Sequence, residues 1–220
     1  MARRNTFIAE FPQLWQRHEA LYSDIFVKAL RQMEVTEGQC KDENAISEAL
    51  CPVLRKVCCK HRDKPSLPQW ERPISPVSID DLKGGKKAKR PDFTCSLINS
   101  FYTSQEDYEL LLHIECKRLG KNSKLNKNYL EDGIKRFDIL THEYGKRSPS
   151  GMMVGYIINS DKQDILRQVN RHLSGAALPE ITFAFKEKVE SCDMMINRKN
   201  VKPKEFKLIH IWADLRPSTH

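Results

Sequence analysis

No apolar run in this sequence approaches the length that a membrane-spanning helix requires, and the N-terminus lacks the apolar core of a signal peptide. A phosphate-binding loop of the Gly-x-x-x-x-Gly-Lys-Ser/Thr type is also absent, which argues against a built-in P-loop ATPase. The chain has neither an internal repeat nor a low-complexity linker. These absences predict a cytoplasmic protein that is not bound to a membrane.

The sequence also lacks a Cys-x-x-Cys pair, although it contains seven cysteines. Their odd number argues against a disulfide framework, and reduced thiols are the simple expectation. Cys58, Cys59 and His61, with Cys51 upstream, are residue types that bind zinc. One helical turn cannot by itself supply tetrahedral geometry, so a zinc site is the less favoured interpretation.

Positive charge is in excess, since 37 lysines and arginines outnumber 29 aspartates and glutamates and give a formal net charge of +8. A basic balance favours a polyanionic partner, because phosphates that pair with basic side chains release counterions. Many basic proteins nevertheless bind nothing acidic, so charge favours nucleic acid without establishing it. The 220 residues, of which 40% are hydrophobic, suffice for one domain with a sizeable core.

Hydrophobic periodicity predicts the order helix, hairpin, helix, strand, helix, strands. We expect one α/β domain with a mixed central β-sheet flanked by helices. In it, residues 1–40 form a helical extension, residues 41–160 the core and residues 161–220 the completion of the sheet. Apart from the hairpin, the predicted elements are helices at 1–35, 42–60, 128–144 and 161–173, and strands at 152–158, 181–185 and 206–212.

Local signals mark several of these elements. Asp42 can cap the second helix, in which Cys51-Pro52 allows a kink or a break. Four prolines between residues 64 and 76 predict a loop without regular structure. In the helix at 128–144, the residues predicted to face inward are Leu130, Ile134, Phe137 and Leu140.

Two segments around residues 92–97 and 109–117 predict the strands of one hairpin. Each has an apolar face and a polar face, because strand side chains alternate with a period of two. A slip by one residue would turn every side chain to the other face, so the apolar contacts select the register. In that register Asp92 falls opposite Glu115. The apolar pairs are Phe93 with Ile114, Cys95 with Leu112 and Leu97 with Leu110.

The polar face of this hairpin carries Asp92, Glu115 and Lys117. Directly opposed residues have β-carbons about 5 Å apart, so the two acids can share a hard cation such as Mg²⁺. Such a cation activates water beside a phosphate and stabilises the developing charge. Neighbouring carboxylates keep Lys117 charged, which fits an orienting role better than that of a free base. The alternative is a solvated hairpin face with a Glu115–Lys117 ion pair.

The Pro91-Asp92 pair, followed after 22 residues by Glu115-Cys116-Lys117, resembles the PD-(D/E)XK nuclease superfamily. The resemblance covers roughly residues 42–158 and implies a restriction-endonuclease-like core. It also implies that Asp92, Glu115 and the backbone carbonyl of Cys116 bind Mg²⁺, with Mn²⁺ as a substitute. The Glu-Cys-Lys-Arg-Leu-Gly run, followed by Tyr, Gly and Arg-Phe, is similar to bacterial restriction and phage-defence members. The implied activity is metal-dependent hydrolysis of DNA phosphodiester bonds.

Many members of that superfamily add an acid from the first core helix, for which Glu43 and Glu48 are the candidates. At about 100° per residue, Glu43 falls within the stripe of Ile46 and Leu50, whereas Glu48 falls on the opposite side. We therefore expect Glu43 to complete a catalytic set with Asp92, Glu115 and Lys117. The alternative is that Glu43 only favours the helix N-terminus by its charge.

Basic side chains lie next to the acids at the ends of both predicted strands, where a phosphate backbone would pass. Both basic stretches have the alternative of being solvated loops, and Arg136 has the alternative of being ordinary surface. The residues expected to bind nucleic acid are Lys86, Lys87, Lys89, Arg90, Arg118, Lys121, Lys124, Lys127 and Arg136.

Two other functional classes remain open. The chain could be a non-catalytic DNA-binding or structural subunit of a multi-protein defence complex, although a decayed site normally loses one of Asp92, Glu115 and Lys117. It could also act with a partner defence subunit or as a homodimer, which would let two sites cut two strands.

Overall fold

In the computed structural model of this protein, helices pack on both faces of a central β-sheet. The structure describes residues 2–72, 90–98 and 109–217, with only the backbone for residues 2–11, 98 and 109. The helices are α1 (Ala2–Gln32), α2 (Glu43–Lys60), α3 (Ser123–Glu131) and α4 (Lys162–Gly175), with short 3-10 helices at Gln39–Lys41 and Ile134–Phe137. The strands are β1 (Gln69–Trp70), β2 (Phe93–Ile98), β3 (Glu109–Leu119), β4 (Ser150–Ile157), β5 (Val189–Asn197) and β6 (Glu205–Asp214).

The six strands form one mixed sheet in the order β1-β2-β3-β4-β6-β5. Neighbouring strands are antiparallel, except that β4 pairs parallel with both β3 and β6. Every residue of β4 is buried, as expected of a strand that lies between parallel neighbours and is covered on both faces. The prediction of an α/β fold with a mixed sheet flanked by helices is therefore confirmed.

The predicted hairpin is formed by β2 and β3, and its register is the one that the apolar contacts select. The ladder pairs Phe93 with Ile114, Cys95 with Leu112 and Leu97 with Leu110. The four residues of the first two pairs, Phe93, Ile114, Cys95 and Leu112, are each at most 1% exposed. They are buried because the apolar face of the hairpin packs against α1 and α2. The strand β2 begins at Phe93, one residue after Asp92.

The sheet separates two apolar cores. Met152, Val154 and Ile211 face α1 and α2, whereas the intervening Met153 and Trp212 face the layer of α3 and α4. The odd-numbered residues of β3, including Glu115 and Lys117, point to the second layer. The polar face of the hairpin is thus covered by the segment between β3 and β4.

Two aspartates cap helices, and one of them, Asp42, does so as the sequence predicts. Asp42 Oδ1 accepts a hydrogen bond from the backbone N–H of Asn44 at 3.1 Å, and Asp161 Oδ1 accepts one from that of Gln163 at 2.9 Å. The first of these helices, α2, continues through Pro52 without ending there. The sequence therefore allowed a break in α2 that does not occur.

The helix predicted at 128–144 is wrong in its extent. α3 already ends at Glu131, and a β-carbon added at Gly133 would lie 2.5 Å from the carbonyl oxygen of Tyr129. The chain therefore tightens into a 3-10 turn after Gly133. Leu130, Ile134 and Phe137 are buried as predicted, but Leu140 lies beyond the turn and is 56% exposed.

The strand predicted at 181–185 is also wrong, since these residues pair with no strand. The side chain of Asn170 instead donates to the carbonyl of Ile181 and accepts from its N–H, both at 2.9 Å. Phe183 is buried against Trp212, with ring centroids 5.0 Å apart. The alternation of apolar residues here reports burial without strand pairing, and the edge strand β5 follows it.

The segment predicted as a loop at 64–76 contains a short strand. Gln69 and Trp70 form β1, which pairs with Thr94 and Phe93 of β2. Residues 73–76 lie outside the described residues. The proline-rich stretch is therefore mostly irregular but does extend the sheet by two residues.

Within the described ranges, no helix combines the length and the apolar character needed to cross a membrane. Each of the seven cysteines is a free thiol. Cys95 and Cys116 are buried on the apolar face of the hairpin, as their positions in the alternation indicate.

Two leucines of the mispredicted helix provide a matched test of this packing. Leu130→Ala should lower the free energy of unfolding by about 2–5 kcal/mol, because it removes methyl groups from a buried site that is 2% exposed. Leu140→Ala should change it by less than about 0.5 kcal/mol, because that side chain already lies in solvent. Urea unfolding of both variants measures the difference, and equal losses would contradict the assignment of Leu140 to the surface.

Candidate active site

A buried lysine lies at the centre of the polar face of β3. The ammonium of Lys117 donates to Glu115 Oε1 at 2.7 Å, to the carbonyl of Cys116 at 2.8 Å and to Glu43 Oε1 at 2.9 Å. An ammonium has three donors, so all of them are used. The side chain of Lys117 is 7% exposed and that of Glu115 is 0% exposed. The pair is therefore shielded from water, unlike a solvated ion pair on a strand surface.

Asp92 reaches the same place from the start of β2. Its Oδ2 accepts a hydrogen bond from the backbone N–H of Cys116 at 2.6 Å. Because β2 begins one residue later, the carboxylate lies against the Glu115–Cys116 peptide. The hairpin register that the core selects thus brings Asp92 and Glu115 together, as the sequence predicts.

Glu43 joins the cluster from the first turn of α2. One oxygen accepts from Lys117, and the other accepts from the backbone N–H of Arg118 at 2.9 Å. The N-cap Asp42 begins the helix directly before it, so that Glu43 points toward β3. Glu48 is exposed. The prediction from helical phase that Glu43 faces inward and Glu48 outward is therefore confirmed as a matter of position.

Arg136, which the sequence placed among DNA-binding residues, lies in the 3-10 turn after α3. Its Nη1 contacts Glu115 Oε1, and its side chain is 27% exposed. Arg118 is directed elsewhere, since its Nη1 donates to the carbonyls of Cys40, at 3.2 Å, and of Lys41. Arg136 is thus part of the cluster, and Arg118 anchors the chain just before α2.

Arg198 positions the segment that carries Arg136, and no signal in the sequence pointed to it. Its Nη1 donates to the carbonyls of Phe137 and Tyr144, each at 3.1 Å, and its guanidinium lies 3.8 Å from the ring centroid of Phe206. It is only 2% exposed. Arg198, which follows β5, therefore holds both ends of the 137–145 loop beside the cluster.

His113 lies two residues before Glu115 on β3 and therefore on the same face of the strand. Its Nδ1 accepts from the backbone N–H of Gly145 at 3.0 Å, and its ring packs edge-on against Tyr144. Burial lowers its pKa to about 3, so the imidazole is neutral. These contacts give His113 a packing role beside the acids.

The cluster holds three carboxylates, Asp92, Glu115 and Glu43, but only two cations, Lys117 and Arg136. Burial and the nearby charge of Asp92 raise the pKa of Glu115 to about 8. Burial also raises the pKa of Asp92. Burial opposes the charge on Lys117, but the surrounding carboxylates outweigh it and raise its pKa, so the ammonium stays charged. The surplus of acid is concentrated on Asp92 and Glu115.

The two surplus acids fit a hard divalent cation. Glu115 Oε2 is buried and has no hydrogen-bond partner, although buried carboxylate oxygens normally have one. Carboxylate and carbonyl oxygens are the ligands that Mg²⁺ prefers, and Asp92, Glu115 and the Cys116 carbonyl supply both kinds. In the part of the chain that the structure describes, no group of three or more His, Cys, Asp or Glu side chains is arranged to hold a metal. Mg²⁺ usually takes only one or two protein carboxylates and keeps several waters, so the smaller set suffices.

Several of the predicted nucleic-acid contacts remain accessible. Arg90, Lys121, Lys124 and Lys127 are exposed. Lys86, Lys87 and Lys89 lie outside the described residues. These exposed basic side chains lie just before β2 or after β3, next to the two strands that carry the acids.

Comparison with protein-family models, with curated proteins and with solved structures finds no match to this chain. What the site can do is therefore judged from its own chemistry. It offers two acids able to bind a cation, a charged lysine beside them and basic side chains at the rim.

The raised pKa of Glu115 predicts a pH dependence of stability. The folded state binds a proton more tightly than the unfolded state, whose carboxyl has an ordinary pKa near 4.5. Raising the pH from 5 to 8 should therefore lower the free energy of unfolding, on the order of 3 kcal/mol from this group, because one pKa unit corresponds to about 1.4 kcal/mol. Glu115→Gln cannot titrate and should lose this part of the slope.

Urea unfolding at several pH values, without divalent cations, measures the effect. Glu48→Gln, which changes an exposed carboxylate, should follow the wild-type profile. Parallel profiles for wild type and Glu115→Gln would show that Glu115 titrates normally in the folded protein.

Proposed function

We propose that the protein is a Mg²⁺-dependent DNA endonuclease with a PD-(D/E)XK, restriction-endonuclease-like core, acting in the cytoplasm in restriction or anti-phage defence. The observation that carries this proposal is the convergence of Asp92, Glu115 and Glu43 around the buried ammonium of Lys117. These residues come from β3, α2 and the chain just before β2. The three carboxylates exceed the two cations of the cluster, Lys117 and Arg136, which leaves one negative charge for a further cation to neutralise.

Asp92, Glu115 and the carbonyl of Cys116 would hold Mg²⁺. When bound, the metal would lower the pKa of a water molecule and neutralise charge on the phosphate. The unpartnered Glu115 Oε2 is the atom with the most to gain, since it is buried without a donor. Mn²⁺ offers similar preferences for oxygen ligands and is expected to substitute.

Lys117 remains charged and lies between the acids and the backbone of β3. Its three donors now go to Glu115, Glu43 and the carbonyl of Cys116. If Glu115 and that carbonyl turned to a cation, the donors given to them would be free for a phosphate oxygen or the attacking water, which would orient both and stabilise negative charge as it develops. Glu43 fixes the position of this ammonium and ties it to the N-H of Arg118. Glu43 is therefore a positioning residue in this proposal, and Asp92, Glu115 and Lys117 are the groups that touch the reacting atoms.

The positive net charge of the chain and the exposed basic side chains near the acids favour DNA as the substrate. A net charge of +8 favours a polyanion, and Arg90, Lys121, Lys124 and Lys127 are exposed near the acids. A homodimer or a partner defence subunit belongs to the same proposal, since two copies would allow two strands to be cut.

Cleavage of supercoiled plasmid with and without Mg²⁺ tests the activity. Asp92→Ala and Lys117→Ala should each reduce the cleavage rate by at least about 100-fold, because they remove a metal ligand or the main charge stabiliser. Both variants should still bind DNA. Equal cleavage by wild type and both variants would refute the assignment.

Glu43 and Glu48 form a matched pair for the positioning role. Glu43→Gln should reduce the cleavage rate by about 10-fold to 100-fold, as is typical when the partner of a catalytic group is lost. Glu48→Gln removes the same charge from the same helix and should leave the rate unchanged. Equal rates for the two variants would show that Glu43 acts only at the helix N-terminus.

Binding of the cation can be tested apart from catalysis. Mg²⁺ should raise the thermal unfolding temperature of the wild type, and the shift should be larger at pH 8 than at pH 6 because Glu115 must lose its proton to bind. Asp92→Asn and Glu115→Gln should abolish the shift, and Glu48→Gln should retain it. A shift that survives both substitutions would place the cation elsewhere.

A second candidate function is a non-catalytic DNA-binding or structural subunit of a defence complex. The contact of Arg136 with Glu115 favours it, because Arg136 and Lys117 together already neutralise part of the acidic cluster. Such a protein would bind DNA in EDTA and would cut neither alone nor with Mg²⁺. The plasmid assay separates the two candidates.

A further inference from the structure

A polar groove of about 580 Å³ lies between the start of α3 and one side of α4. Arg167, Gln168 and Arg171 line it from α4, and Lys121 and Ser123 line it from the chain that follows β3. Apolar residues of α4, including Ile165, face the core instead. The groove is thus formed by the polar stripe of an amphipathic helix and the segment that leaves the candidate active site.

The charges in this groove are mostly positive. Lys121, Arg167 and Arg171 are cations, and the single carboxylate among the lining residues, Asp164, is paired with Arg167. Three cations less one carboxylate leave a net charge of +2. Lys121 and Arg171 are exposed and form no ion pair with any described residue. Their charges are available for an anion.

The groove lies on the same side of the sheet as Glu115 and Lys117, because α3 and α4 form the layer that covers that side. Lys117 and Lys121 are four residues apart, and β3 ends between them at Leu119, so the chain separates them by at most about 14 Å. A strand with one phosphate at Lys117 would therefore have a later phosphate beside Lys121.

The groups in the groove suit phosphates better than bases. The amide oxygen of Gln168 accepts from Asn126 Nδ2 at 2.9 Å, so it is not free to read a base edge. The backbone N–H of Lys121 is bonded to Asn159 Oδ1, which leaves its ammonium as the group that faces the groove. Contacts of lysine and arginine side chains with phosphates fix the position of the backbone and carry no sequence information.

We propose that this groove binds the sugar-phosphate backbone of the DNA strand that passes through the candidate active site, within a few nucleotides of the scissile phosphate, with Lys121 and Arg171 as the main contacts. The inference rests on the proposed function for its substrate. It adds a binding site on α4, a helix that contributes nothing to the acidic cluster. Binding there is independent of base sequence.

Fluorescence anisotropy with a labelled DNA duplex in EDTA tests the groove without any cleavage. Lys121→Ala with Arg171→Ala should weaken binding by about tenfold at moderate salt and reduce the slope of log K against log salt by about two, since each lost phosphate contact lowers it by about 0.9. A second duplex of unrelated sequence should show the same losses.

The matched control is Lys56→Ala with Arg62→Ala. This pair removes the same two charges from α2 and the residues after it, on the opposite side of the sheet, and the side chain of Arg62 is 96% exposed. The control should leave the salt slope unchanged. Equal slopes for the two double variants, a loss that depends on base sequence, a loss seen only with duplex RNA, or a wild type that binds no DNA would each overturn the proposal.

Plasmid cleavage with Mg²⁺ separates this inference from the proposed function. A wild type that cuts, combined with an unchanged salt slope in the groove variant, leaves the nuclease standing and removes the groove. A reduced slope in the groove variant, combined with a wild type that never cuts, keeps the groove as a DNA-binding surface and removes the nuclease. Thermal unfolding of the variants confirms that they are folded.

Discussion

The buried ammonium of Lys117 is the interaction on which the rest of this site depends. A lysine at this depth is stable only when charged partners replace the water that it has lost. Glu115 supplies one partner from the same strand, and Glu43 supplies another from α2. Because each partner belongs to a different element, the requirement of one side chain joins the first core helix to the central hairpin.

The cluster contains Asp92 in addition to the two acids that contact Lys117. This extra carboxylate distinguishes it from a structural ion pair. A buried lysine needs acidic partners, and Glu115 and Glu43 already supply them. An ion pair that only stabilised the fold would therefore not need Asp92. Burial and the nearby charge of Asp92 together raise the pKa of Glu115, so the folded protein disfavours ionisation of both acids at once. Native proteins keep such local conflicts mainly where a ligand or a reaction relieves them. The second layer, in which Arg198 holds the loop beside Arg136, keeps the cluster in place.

The features that could be predicted from the sequence are those in which local pattern and tertiary packing agree. The β2–β3 register follows from alternation because Phe93 and Ile114 must both reach the same core. Glu43 follows from helical phase for the same reason. The predictions of helix and strand boundaries were wrong where contacts of the backbone determine the local structure. Gly133 shortens α3 through a close approach to Tyr129, and Asn170 satisfies the backbone of Ile181 that a strand partner would otherwise bond. The role of Arg198 could not be predicted from the sequence, because its hydrogen-bond partners are backbone carbonyl groups, which every residue has.

The strand order has a consequence for how the molecule is made. β6 follows every other described strand along the chain, yet it lies inside the sheet between β4 and β5. Before β6 is in place, β4 has one unpaired edge and β5 lacks a partner among the described strands. The loop that Arg198 anchors is then without its clamp, since Phe206, on which the guanidinium packs, belongs to β6. The loop and the site beside it therefore reach the geometry described above only once β6 has inserted between β4 and β5.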